Sequence, residues 1–110
     1  MCNFEIKAEL MFNIADEFSN FISKLSSELI SRYGGAAYNG SSYMVWGGID
    51  ALVKISVEIK HTASTYISIN DLKKLKAIAV INCYKASNCV DLYKELADLA
   101  KSSGLIIRLL

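Results

Sequence analysis

Residues 33–48 constrain this chain more than any other stretch. The run YGGAAYNGSSYMVWGG holds five of the six glycines, three of the six tyrosines and the only tryptophan. It lies where a helical spacing of apolar residues gives way to alternation. Gly47-Gly48 reads as a two-residue hairpin loop, because both positions take positive φ without steric cost. Such a loop sets strand register, and register decides which side chains share a face. On that register Trp46 pairs with Ile49, Val45 with Asp50, Met44 with Ala51 and Tyr43 with Leu52. Met44 and Trp46 then join Ile49, Val53, Ile55, Val57 and Ile59 on the core face. Tyr43 and Val45 turn the other way, beside Leu52 and Lys54.

The flanking segments supply the remaining elements. Residues 4–12 alternate, with Phe4, Ile6, Ala8, Leu10 and Phe12 against Glu5, Lys7, Glu9 and Met11, the pattern of a half-buried strand. Asn13 is placed to cap a helix, and Asp16 and Glu17 suit the positive end of its dipole. Ile14, Phe18, Phe21, Ile22, Leu25, Leu29 and Tyr33 recur at spacings of three and four, and Gly34-Gly35 ends the helix. Residues 42–46 and 49–62 form the hairpin strands. Leu72, Leu75, Ile78, Ala79 and Cys83 fall on one helical stripe, although residues 77–81 are apolar enough for a buried strand. Val90, Tyr93, Leu96, Ala97 and Ala100 form the stripe of a last helix, stopped by Ser102-Ser103-Gly104. Residues 105–110 make a final strand.

The order is β-α-β-β-α(α)-β over 110 residues, which favours one domain spanning 1–110. With a right-handed crossover, the expected fold is an α+β, ferredoxin-like sandwich. It has an antiparallel four-stranded sheet ordered 4-1-3-2 and helices on one face.

Composition narrows the function. Twelve basic and eleven acidic side chains leave a net charge of +1, so no global field steers the chain toward a polyanion or a membrane. No apolar run approaches the ~20 residues of a membrane span, and the first residues lack the pattern of a secretory leader. An intracellular protein without a membrane partner is expected. Cys2, Cys83 and Cys89 form no CxxC pair; Cys83 and Cys89 could be bonded if the helices fold back between them. There is no proline, so Gly, Ser, Asn and Thr must make every turn.

No nucleophile elbow, phosphate loop, HExxH or dinucleotide fingerprint is present. His61 is the only histidine, and a general base or a zinc site needs partners beside it. The chain therefore reads as non-catalytic, with no cofactor and no metal.

Binding is the remaining class. A single-stranded DNA or RNA reader needs rings to stack on and cations nearby. Tyr38 and Tyr43 of the glycine-rich stretch, with Arg32, Lys54, Lys60, Lys73 and Lys74, supply both. The exposed strand faces, Glu5-Lys7-Glu9-Met11 and Lys54-Ser56-Glu58-Lys60, carry no ring and read as cross-strand ion pairs. The alternative is a protein-interaction or inhibitor module that uses the same loop or the outer face of the sheet. One feature favours that face. The final strand has Leu105, Ile107 and Leu109 on one side yet Ile106 and Leu110 on the other, with Met11 as the expected neighbour. A strand apolar on both sides implies a cover, most economically the second subunit of a homodimer.

Overall fold

The structure, a computed structural model, describes residues 4–58 and 75–110. Lys60, His61, Lys73 and Lys74, and with them part of the expected 49–62 strand, lie outside these residues. Among the described residues six strands and two helices follow one another. They are β1 (Phe4–Phe12), α1 (Ala15–Tyr33), β2 (Ala36–Asn39), β3 (Tyr43–Gly47), β4 (Ala51–Val57), β5 (Leu75–Cys83), α2 (Ala86–Ser102) and β6 (Ile106–Leu109). The strands form one sheet in the order β2-β3-β4-β5-β1-β6, and every neighbouring pair is antiparallel.

The α+β class holds, with helices on one face of an antiparallel sheet. The sheet has six strands rather than four, and β1 lies between β5 and β6 rather than beside the strand that follows the hairpin. Two segments account for the difference. The first is β5, whose stripe at helical spacing is real but incidental. Ala77, Ile78, Ala79, Val80 and Ile81 are apolar at every position, so a helix here would have no wet side. Ile78, Val80 and Ile81 are β-branched and favour a pleated surface. The second is β2, four residues without a β-branched side chain, held by pairing Ala37 with Trp46 and Tyr38 with Val45.

The hairpin between β3 and β4 turns two residues later than the glycines suggest. Gly47 pairs with Leu52, and the Gly48 amide donates to the Ala51 carbonyl at 2.9 Å, leaving Ile49 and Asp50 at the tip. Trp46 therefore faces Val53, not Ile49. The slip from 49 to 53 is an even number of residues, so the faces survive it. Met44, Trp46, Val53 and Ile55 are buried, whereas Ile49 is 94% exposed instead of lying in the core. Gly48 has a packing role in place of the expected turn role. A β-carbon there would come within 2.7 Å of the Trp46 ring.

Helix α1 starts at an Ile14 cap rather than at Asn13. The Glu17 carboxylate accepts the amides of Asn13 at 3.2 Å and Ile14 at 3.1 Å, and with Asp16 it meets the positive end of the dipole. Phe18, Phe21, Ile22, Leu25 and Leu29 bury one stripe against the sheet. At the other end Gly34 and Gly35 take φ of 73° and 79°. A β-carbon on Gly35 would collide with the Gly47 carbonyl, so the chain can enter β2 this close to β3 only with glycine. Helix α2 contributes Cys89, Leu92, Leu96, Ala97 and Ala100. Its buried stripe meets β1, β5, β6 and α1. Together these residues fill a single core with Leu10, Phe12, Ala77, Ala79 and Ile81. Phe12 stacks on Phe18 with ring centroids 5.1 Å apart. Cys83 and Cys89 are buried in this core with no disulfide between them.

Candidate functional site

Both helices of the described residues lie on one face, and among those residues no helix covers the other face of the sheet. Register assigns its residues row by row. One row runs Tyr38, Val45, Lys54, Val80, Lys7 across β2 to β1. The next runs Tyr43, Ser56, Ile78, Glu9, Arg108 from β3 to β6. Leu52 and Asn82 extend the patch at one end, and Met11 pairs with Ile106 at the other. Met11 thus neighbours the final strand, as its alternation implied.

Two features of this face stand out physically. The first is apolar content where antiparallel sheets usually carry polar residues. Ile78 and Val80 sit at its centre, flanked by Val45 and Leu52, and Ile106 is 63% exposed at its edge. The second is a buried charge. The Glu9 carboxylate is nearly inaccessible and lies 2.9 Å from Arg108 and 3.2 Å from Lys76. The Arg108 hydrogen bond, and then the paired ammonium of Lys76, hold its pKa below the usual 4.5 against the opposing effect of burial. The ion pairs expected between β1 and the strand after the hairpin are not seen among the described residues, because β5 lies between the two; Glu9 pairs instead with Lys76 of β5 and Arg108 of β6.

The residues expected to bind nucleic acid divide. Tyr38 and Tyr43 share the open face, with ring centroids 5.8 Å apart and planes inclined by 30°. They are 64% and 39% exposed. The neighbouring Tyr38, and then burial, hold the Tyr43 hydroxyl proton more tightly than usual. Gly40 lies against the Tyr43 ring, where a side chain would strike it. Lys54, across from Val45, is exposed beside this pair. Arg32 stands elsewhere. It belongs to α1, and its guanidinium pairs with Glu28 at 3.0 Å and Glu95 of α2 at 3.2 Å. Both contacts raise its pKa, that of Glu28 first. It thus lies on the helical side, away from the rings. Trp46 is core, as its parity implied, and its indole donates to the Gly34 carbonyl at 2.9 Å.

Sequence reasoning overlooked Ile78 and Val80 as face residues because they were assigned to a helix. The signal was present in the unbroken apolar run of residues 77–81. Among the described residues no three His, Cys, Asp or Glu side chains gather to hold a metal, and no helix is long and apolar enough to cross a membrane. No protein-family model matches the chain, and no curated protein is found as a relative.

Proposed function

We propose that this is a non-catalytic binding protein that works as a homodimer, its two subunits packed through the open face of the sheet. The observation that carries this is β5. At its centre Ile78 and Val80 on the outer side match Ala77, Ala79 and Ile81 on the inner side, a pattern that belongs to strands covered on both faces. The helices cover one side, and the other side needs a cover. The dimensions fit. Strand residues occupy about 3.4 × 4.8 Å each, so the face spans on the order of 600 Å² before its side chains are unrolled. A standard interface takes about 800 Å² per partner. The charges also suit a copy of the same surface. Lys7 and Lys54 stand among Glu5 and Glu58, and a face of mixed sign can meet itself across a two-fold axis where a single-sign face would repel. Buried cysteines without a mutual disulfide accord with a reducing, intracellular location.

Sedimentation equilibrium of the wild type and of Val80→Glu tests the proposal. Val80 lies between Lys54 and Lys7, so a glutamate there gains cross-strand partners in a lone subunit but places charge in the interface. The wild type should be dimeric at micromolar concentration and Val80→Glu monomeric with an unchanged far-ultraviolet spectrum. A wild type still monomeric at about 100 μM, a concentration that would reveal even a weak specific dimer, ends this reading.

The Tyr38–Tyr43 pair beside Lys54 supports a second reading, stacking of single-stranded DNA or RNA on a monomer. A labelled oligonucleotide should then bind at about 50 mM salt, weaken steeply as salt rises, and be lost in Tyr38→Ala/Tyr43→Ala.

A further inference from the structure

A cavity of about 200 Å³ opens at the other end of β3 from Tyr43, where the last turn of α1, the first turn of α2 and the β3–β4 tip converge. Tyr33 and Trp46 meet edge to face with centroids 6.2 Å apart, and buried Leu92 and half-buried Ala51 line the recess with them. Exposed Ile49 and Asp50 and half-buried Asn88 form its rim.

The side chains of Asp50 and Asn88 are unemployed. Among the described residues the Asp50 carboxylate makes no hydrogen bond or ion pair; only its backbone carbonyl is used, accepting the Tyr84 amide at 3.1 Å. The Asn88 amide group and the Tyr33 hydroxyl likewise make no hydrogen bond there. A recess that combines aromatic and aliphatic walls with a few polar groups is the usual form of a small-molecule site.

The electrostatics select the ligand's sign. Burial, then Glu95 and Asp91, raise the Tyr33 pKa, so two further carboxylates are felt at this ring. The nearest guanidinium, Arg32, is already held by Glu28 and Glu95. The two helix ends at the cavity present opposite dipole ends and offset each other. The unpaired carboxylate of Asp50 then decides, and aromatic rings add attraction for a cation.

We infer that this cavity binds a small organic amine, its ammonium group at Asp50 and its apolar body between Tyr33, Trp46 and Leu92. The size agrees. At about 30 Å³ per water the space equals roughly seven waters, enough for one ring or short chain but below the ~300 Å³ of drug-sized sites. The inference is independent of the dimer, which uses the other side of the sheet.

Trp46 is the only tryptophan, so its fluorescence reports the site directly. The full chain is titrated with phenethylammonium and with 3-phenylpropionate, which has similar shape and opposite charge, and amide shifts are followed in parallel. The amine should produce a saturable change, with shifts centred on Tyr33, Asp50 and Asn88. The carboxylate should bind at least about tenfold more weakly, the size of one charge-assisted contact. Asp50→Asn should weaken amine binding by a similar factor while leaving thermal stability unchanged, because the carboxylate has no partner within the described fold. Equal binding of the two probes, unaltered binding by Asp50→Asn, or no saturable change up to about 20 mM amine, beyond the weakest useful affinity of a ligand this small, would overturn the inference.

Discussion

Trp46→Phe is the most informative single change to the core. The indole is 2% exposed, donates to the Gly34 carbonyl at 2.9 Å and meets the edge of Tyr33. Phenylalanine keeps the apolar ring but removes the donor. The Gly34 carbonyl is only partly buried and can recover water, so the lost hydrogen bond costs about 0.5–1.5 kcal/mol. The smaller ring also leaves a void against Gly48 and Tyr33, worth about a further 1–2 kcal/mol if the surroundings do not collapse. The sum is about 1.5–3.5 kcal/mol. For a domain of this length that lowers Tm by roughly 6–15 °C. Far-ultraviolet circular dichroism during heating and urea denaturation reads both quantities without relying on the fluorophore that is lost. Tyr43→Ala, on the opposite face, is the control and should move Tm far less. A Trp46→Phe protein within about 0.5 kcal/mol of wild type, the range of an ordinary surface change, would refute the inward placement of the indole.

Two further outcomes follow from other parts of the fold. Gly35→Ala must place a side chain at φ of 79° against the Gly47 carbonyl, so it should cost more than about 2 kcal/mol in urea denaturation or unpair β2 altogether. Glu9 should make the protein acid-sensitive. Arg108 and Lys76 depress its folded-state pKa below 4.5, so its stabilisation is complete above the unfolded value and is lost as pH falls through the folded one. Glu9→Gln should be less stable than wild type at pH 7, and the gap should narrow as pH falls below 4.5 through the depressed folded-state pKa, measured by urea denaturation at each pH.

The sequence and the structure agree where one period dominates. The alternation of residues 4–12 and the three-four spacing from Phe18 to Leu29 both appear as the expected strand and helix, although Phe4 is exposed and Glu9, on the opposite face of its strand, is buried. Residues 75–83 satisfy both periods at once, because a strand buried on one face and apolar on the other leaves no polar beat to count. Residues 36–39 carry no strand signal of their own; their pairing with β3 depends on Gly35 passing beside Gly47, a tertiary contact. The hairpin shows how much a wrong turn can leave intact. Moving the tip from Gly47-Gly48 to Ile49-Asp50 preserves every inward side chain of β3 and exposes only Ile49. The candidate site was legible in part. Tyr43 and Lys54 could be assigned to the open face by parity, and Tyr38 joins them only through β2. Arg32 was adjacent in sequence, but its place at the end of α1 puts it among Glu28 and Glu95 instead.

The account turns on what covers Ile78 and Val80. Isotope-filtered NOE spectra of a sample mixing labelled and unlabelled chains observe contacts between subunits alone. The dimer proposed here should give intersubunit NOEs from the methyl groups of Ile78, Val80 and Val45, with partners among the rings of Tyr38 and Tyr43. A dimer whose intersubunit NOEs came from α1 or α2, or a protein with none at millimolar concentration, where even weak specific complexes are populated, would contradict it.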